Sequence, residues 1–108
     1  RGIRSAAEIF DGGRDGERAE IAGMVITRQR PGSAKGMMFM TVEDETGLAN
    51  LVLTPPVFDR YRQVARSELL VLAHGKLERE GRVINLLVDH LERLRGASPP
   101  TVPSRDFR

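Results

Sequence analysis

The chain has 108 residues, with no Cys, no Trp, one Tyr and four Phe. That length fits one small domain with no room for a large enclosed pocket, and 40% apolar with 30% charged residues places it among folded globular domains. Without Cys there is no disulfide framework, thiolate zinc site or Cys nucleophile, which suits a reducing cytosol and gives a cytoplasmic expectation. The longest apolar run, Leu69–Ala73, is short, so no membrane-spanning helix is expected, and without a charged-then-apolar leader before the domain no signal peptide is expected. The first residue is Arg1 rather than Met, which reads as a piece of a longer protein. The formal charge is only +2, but 15 of the 17 basic residues are Arg, whose planar fork pairs with phosphates and stacks on bases. A GC-rich genome also enriches Arg.

Residues 1–18 read as a lead-in, in which Ser5-Ala6-Ala7-Glu8 fits a capping box for a short helix to about Phe10. A first strand is expected from Ala19 to Arg28, with Gly23 marking a bulge or bend. Arg30-Pro31-Gly32-Ser33-Ala34-Lys35-Gly36 reads as a loop. A second strand follows from Met37 to Glu43, with Met38, Met40 and Val42 on one face and Met37, Phe39 and Thr41 on the other. Asp44-Glu45-Thr46-Gly47 fits a type I turn into a third strand, Leu48 to Leu53.

Thr54-Pro55-Pro56 signals a helix start, and Val57, Phe58, Tyr61, Val64 and Ala65 recur at helical spacing as one apolar stripe running to about Ser67. Asp59, Arg60, Arg62, Gln63 and Arg66 take the rest of that surface. A fourth strand is expected over residues 68–78, a turn at Arg79-Glu80-Gly81-Arg82, and a fifth strand from Val83 to about His90. Residues 96–108, with three Pro, read as a flexible tail. The domain division is thus 1–18, 19–95 and 96–108.

Strand, strand, strand, helix, strand, strand is the layout of the OB-fold, an all-β barrel of five strands with one helix plugging an end. Such barrels bind single-stranded nucleic acid on the face of the second and third strands, between the first and last hairpin loops. Those loops carry Arg28, Arg30 and Lys35, and Lys76, Arg79 and Arg82, each able to neutralise a phosphate. Ordinary solubilising charge is the alternative, and Glu78 and Glu80 dilute the second group. Phe39 faces the groove and stacks a base if Met38, Met40 and Val42 are core; with the parity reversed it is itself core. Asn50 is placed to hydrogen-bond a base edge, or is an ordinary barrel-rim residue.

Catalysis finds little support. Glu43-Asp44-Glu45 is a run of acids at a turn, and two-metal chemistry needs carboxylates converging from separate elements. His74 and His90 sit on strands with no partner nearby in sequence and read as structural. No Walker loop, GxSxG or HExxH occurs. Neither catalytic residues, metal ligands nor a cofactor are assigned to the chain.

The stretches Arg28-Gln29-Arg30-Pro31-Gly32-Ser33-Ala34-Lys35-Gly36 and Glu43-Asp44-Glu45-Thr46-Gly47-Leu48-Ala49-Asn50-Leu51-Val52, with Phe39 between them, resemble the C-terminal OB domain of the bacterial error-prone DNA polymerases. These are C-family paralogues of the replicative polymerase III alpha subunit. Val57-Phe58-Asp59-Arg60-Tyr61-Arg62 and the ending Ser104-Arg105-Asp106-Phe107-Arg108 are similar to that family too. The resemblance implies a module that handles the single-stranded DNA template within a DNA-directed DNA polymerase of damage tolerance and translesion synthesis. It implies that the parent's Mg-dependent active site lies outside this chain. It also implies partners in the remaining polymerase domains and in mutasome accessory proteins, and none in a membrane. Arg28, Arg30, Lys35 and Phe39 carry over as DNA contacts. An anticodon-type RNA-binding barrel, a protein-interaction barrel and a small metal-dependent enzyme remain alternatives.

Overall fold

The computed structural model describes residues 3–30 and 35–94. The loop core at 31–34 and the tail read at 96–108 lie outside the described residues. In chain order the elements are α1 (Ala6–Gly12), β1 (Arg18–Gln29), β2 (Met38–Asp44), β3 (Gly47–Leu53), α2 (Pro55–Arg60), α3 (Arg62–Ser67), β4 (Leu70–Glu80) and β5 (Val83–Arg93). The strands close into a barrel in the order β1-β2-β3-β5-β4, the OB-fold expected from the sequence. Neighbours are antiparallel except β3 and β5, which run parallel and pair Asn50 with Asn85, Leu51 with Leu86 and Val52 with Leu87.

Alternation fills the barrel. Ala19, Ile21 and Val25 of β1, Met38, Met40 and Val42 of β2, Leu51 and Leu53 of β3, Val71, Ala73 and Leu77 of β4, and Ile84, Leu86 and Val88 of β5 are all buried in one cluster. Two bulges interrupt the period. In β1, Val25 pairs with Val42 but Thr27 pairs with Thr41, so Ile26 is the extra residue. In β5, His90 pairs with His74 but Val88 pairs with Gly75, so Asp89 is the extra residue and Leu91, not His90, resumes the buried series. A bulge adds one residue and thereby reverses which face each later side chain takes.

Curvature needs glycine at two close approaches. A Cβ on Gly23 would lie 2.8 Å from the Glu43 carbonyl oxygen, and one on Gly75 would lie 2.1 Å from that of Leu87. Gly23 is thus a point of backbone approach, and the bulge in β1 falls three residues later.

The sequence predicts one helix after β3; the structure forms two short ones that break at Tyr61, whose φ of −110° and ψ of 28° end α2 and begin α3. Pro55 occupies the first turn of α2 as expected; Thr54 is the cap residue by position, but its side chain makes no capping bond. Glu68 caps α3, which delays β4 to Leu70. Phe58 and Ala65 enter the core from this pair, flanked by Val57, Tyr61 and Val64.

At the N-terminal side, α1 buries Ala6 and Ile9 in the same core. Its expected capping box forms: Ser5 Oγ accepts from the Glu8 N–H at 3.1 Å and Glu8 Oε1 accepts from the Ser5 N–H at 2.9 Å. The β2–β3 turn completes the cap. Asp44 accepts from the Ala6 N–H at 2.8 Å and Thr46 Oγ1 from the Ala7 N–H at 2.9 Å, so the donors that open a helix are satisfied by a turn 38 residues away. Asp44 also accepts from the Thr46 hydroxyl and from the Thr46 and Gly47 N–H groups.

Partial burial pushes the Asp44 carboxyl up, but these hydrogen bonds outweigh it and hold it below its ordinary 3.8. The folded value is below the unfolded one, so this stabilisation is present at neutral pH and is lost as pH falls through the folded value. Asp44→Ala should cost about 2 kcal/mol at neutral pH by thermal or urea denaturation. Asp44→Asn should flatten the loss of stability between about pH 5 and pH 2; an acid limb as steep as that of the parent would remove Asp44 from the linkage. Gly75→Ala should cost at least about 3 kcal/mol, read as a lower urea midpoint, because its Cβ meets backbone and not a movable side chain.

Candidate nucleic-acid interface

Because Met38, Met40 and Val42 point inward, Phe39 points out, and it is 37% exposed. The parity left open by the sequence is therefore resolved toward the outer wall. Phe39 pairs with Val52, Val52 with Leu87, Leu87 with Lys76 and Lys76 with Arg18, so one row on the face of Phe39 crosses from β2 to β1 around the barrel, with Val52 covered within it. The neighbouring row holds Thr41, Asn50, Asn85 and Glu78. Thr41 Oγ1 and Asn50 Oδ1 lie 3.5 Å apart, which leaves the Asn50 amide nitrogen free of that contact. The Lys76 side chain is exposed and makes no hydrogen bond or ion pair among the described residues. Arg18 is held by Asp89 at 2.5 Å; that pairing lowers the Asp89 carboxyl and raises the guanidinium.

The basic residues of the first loop sit elsewhere. The bulge at Ile26 places Arg28 opposite the inward Met40, and its side chain runs under the barrel. There Arg28 Nε donates to the Ala65 carbonyl at 2.7 Å and Nη2 to that of Glu68 at 2.5 Å, which fastens β1 to the end of α3. The Arg30 guanidinium stacks 4.5 Å from the centroid of the Phe58 ring, and Arg62 approaches the same ring at 5.8 Å. With Arg66 these side chains line a cleft of four guanidiniums and one carboxylate, Asp59, which Arg62 binds at 2.6 Å. Lys35 is exposed, with φ of 56°, at the loop end that meets Pro55 of α2 through Gly36.

In the sequence, Arg62 and Arg66 read as part of the outer helix surface. Their spacing of four is the available signal, since it stacks both on one face of α3. The closing loop divides. Arg79 donates through Nε to the Gly13 carbonyl at 2.9 Å and through Nη2 to that of Phe10 at 2.6 Å, so its fork satisfies carbonyls at the end of α1. Arg82 is exposed in the β4–β5 turn and lines a groove between α1, β3 and β5 that also contains Asn50. The structure thus brings Phe39, Asn50 and Lys76 to the outer wall, Arg28 and Arg30 to the lower cleft, and Arg79 and Arg82 to the opposite end.

Asp44, the middle of the acidic run, spends its oxygens on backbone and hydroxyl donors. Among the described residues the group with metal-ligand character is instead His74, His90 and Glu92 on β4 and β5.

Comparison with known proteins agrees with this architecture. A family model described as an OB-fold nucleic acid binding domain matches residues 19–94. The chain is 47% identical over 107 residues to a protein named error-prone DNA polymerase from Anaeromyxobacter dehalogenans (strain 2CP-C), covering 97% of this chain and 9% of that one. It is 54% identical over 78 residues to error-prone DNA polymerase 1 of Agrobacterium fabrum (strain C58), covering 72% of this chain and 7% of that one. The chain therefore spans less than a tenth of the length of these relatives. Among solved structures, asparaginyl-tRNA synthetase from Pyrococcus horikoshii superposes with a TM-score of 0.59 and 24% identity, over 72% of this chain and 20% of that one. An OBody, AM3L15, bound to hen egg-white lysozyme superposes with a TM-score of 0.67 and 16% identity, over 90% and 97%. These two likenesses concern the fold. The polymerase relatives bear out the resemblance read from the sequence, and the chain belongs to the OB-fold nucleic acid binding domain family.

Proposed function

We propose that this chain is the single-stranded DNA-binding module of an error-prone, DNA-directed DNA polymerase that acts in damage tolerance and translesion synthesis in the cytoplasm. Its role is to handle the template strand, while the Mg-dependent chemistry belongs to the rest of the polymerase. The observation that carries the reading is Phe39, an aromatic ring turned outward from β2 between two buried methionines, on a chain whose relatives are named DNA polymerases. A base stacks on such a ring without regard to its identity, and cations near the wall neutralise the phosphates. Lys35, Arg30, Arg62 and Arg66 supply that charge on the α2–α3 side, and Lys76 supplies it on the wall. Arg28 and Arg79 contribute by holding the helices in place, since their forks are engaged by carbonyls.

A protein-interaction reading has its own observation. Phe10, Leu48 and Val83, each more than half exposed, line the groove between α1, β3 and β5. In the proposed setting this surface meets the remaining polymerase domains, with mutasome accessory proteins as further partners.

Phe39→Ala should weaken binding of a short single-stranded DNA oligonucleotide about tenfold in a fluorescence titration, with the melting temperature little changed. Equal affinity in that variant would take Phe39 out of the interface, and preference for RNA of the same sequence would favour the anticodon-type barrel. Combined charge reversal at Arg30, Lys35 and Arg66 should weaken binding and reduce the salt slope by about 0.7 for each phosphate no longer neutralised. Affinity insensitive to salt in the parent protein would point to the protein-interaction reading.

A further inference from the structure

We propose that His74, His90 and Glu92 form a site for a divalent transition metal of the Zn2+ class on the outer wall of β4 and β5. The inference does not depend on the nucleic-acid reading. It begins with the bulge. In a regular strand His90 would share the inward face of Val88; because Asp89 is bulged out of the register, His90 faces out directly opposite His74. Re-aiming a side chain is a known use of a bulge beside a functional site. Glu92, two residues on, shares the outward face.

The donor atoms converge. Glu92 Oε1 lies 2.8 Å from His90 Nε2 and 3.9 Å from His74 Nε2, and one donor atom from each residue lies within 4.8 Å of the others. The two rings stand edge to face with centroids 4.9 Å apart. A tetrahedral ion with bonds near 2.1 Å needs donors about 3.4 Å apart. The present separations bracket that spacing, and rotation of the half-exposed Glu92 side chain adjusts it.

Each imidazole also has a partner on its far nitrogen. Glu20 Oε2 lies 2.9 Å from His74 Nδ1, and the Tyr61 hydroxyl lies 3.0 Å from His90 Nδ1. Ligand histidines characteristically use the second nitrogen in this way, and the partner fixes the tautomer. With Nδ1–H donating to Glu20, His74 Nε2 carries a lone pair; that atom is buried and has no hydrogen-bond partner among the described residues. With Nε2–H donating to the Glu92 carboxylate, a neutral His90 ring accepts from Tyr61 at Nδ1. Metal binding needs the opposite tautomer: the Nε2 proton leaves, Nδ1 gains one and donates it to the Tyr61 oxygen. A hydroxyl serves both states because it donates and accepts.

Two imidazoles and one carboxylate suit Zn2+, whereas Mg2+ and Ca2+ prefer oxygen ligands throughout. Three protein ligands leave the fourth position to water. The site ties β4 to β5 at the bulge.

The test is calorimetric titration and thermal denaturation of the untagged, metal-free 108-residue chain with ZnCl2, with MgCl2 as the control, alongside visible absorption with Co2+. A single Zn2+ equivalent that raises the melting temperature, with a tetrahedral Co2+ band, is expected. His74→Gln should abolish both, and Glu92→Ala and Tyr61→Phe should each weaken binding about tenfold or more. Absence of Zn2+ uptake overturns the proposal. So does uptake that survives Glu92→Ala unchanged, a variant at an exposed position that decides the matter even if a histidine variant fails to fold.

Discussion

The short parallel seam between β3 and β5 is the contact on which the molecule depends. It involves three register pairs, Asn50 with Asn85, Leu51 with Leu86 and Val52 with Leu87. Without it, β3 and β5 would be edge strands with unpaired backbone groups, and Leu51 and Leu86 would face water instead of each other. Parallel neighbours cannot be joined by a hairpin, so the chain must cross beneath the sheet between β3 and β4, and α2 and α3 make that crossing. The crossing is also the plug, because Phe58 and Ala65 fill the mouth it passes under. Closure, crossover and core are therefore one geometric requirement.

Closing five strands around so small a core requires sharp curvature, and the chain meets it with the bulges at Ile26 and Asp89 and the close approaches at Gly23 and Gly75. These irregularities also decide where chemistry can occur. The first sends Arg28 beneath the barrel to the α3 carbonyls; the second turns His90 outward to meet His74. A regular five-stranded barrel with the same residues would present a different set of cations to solvent.

The difference explains what the sequence could reveal. Strand positions, the alternation that sets Met38, Met40 and Val42 against Phe39, and the plug stripe follow from local periodicity, a property of the chain alone; which of the two β2 faces turns inward does not, and the fold decides it. Bulge positions do not follow from it either, because they depend on which residue of a distant strand lies opposite. Hence Arg28 reads locally as a loop cation and is in fact a strut, and Arg79 reads as a groove cation while its fork reaches carbonyls about 70 residues earlier in the chain. His74 and His90 lack a partner nearby in sequence and are cross-strand neighbours in the fold. The Tyr61–His90 contact is equally invisible to the local stripe, because only the fold brings His90 there.

The scarcity of aromatic residues then bears on the kind of recognition open to this wall. Among the described residues, Phe58 is committed to the plug and covered by Arg30, Tyr61 holds His90, and Phe10 lines the groove at α1. Phe39 alone stands on the outward row that includes Lys76. Readers of specific RNA bases splay several bases onto several rings and hydrogen-bond their edges. In the proposed function, one ring, the Asn50 amide nitrogen and a set of guanidiniums and ammoniums would offer stacking and charge neutralisation instead, which act on every nucleotide alike. Under that proposal, weak discrimination among bases suits a strand of arbitrary sequence, as the proposed template is.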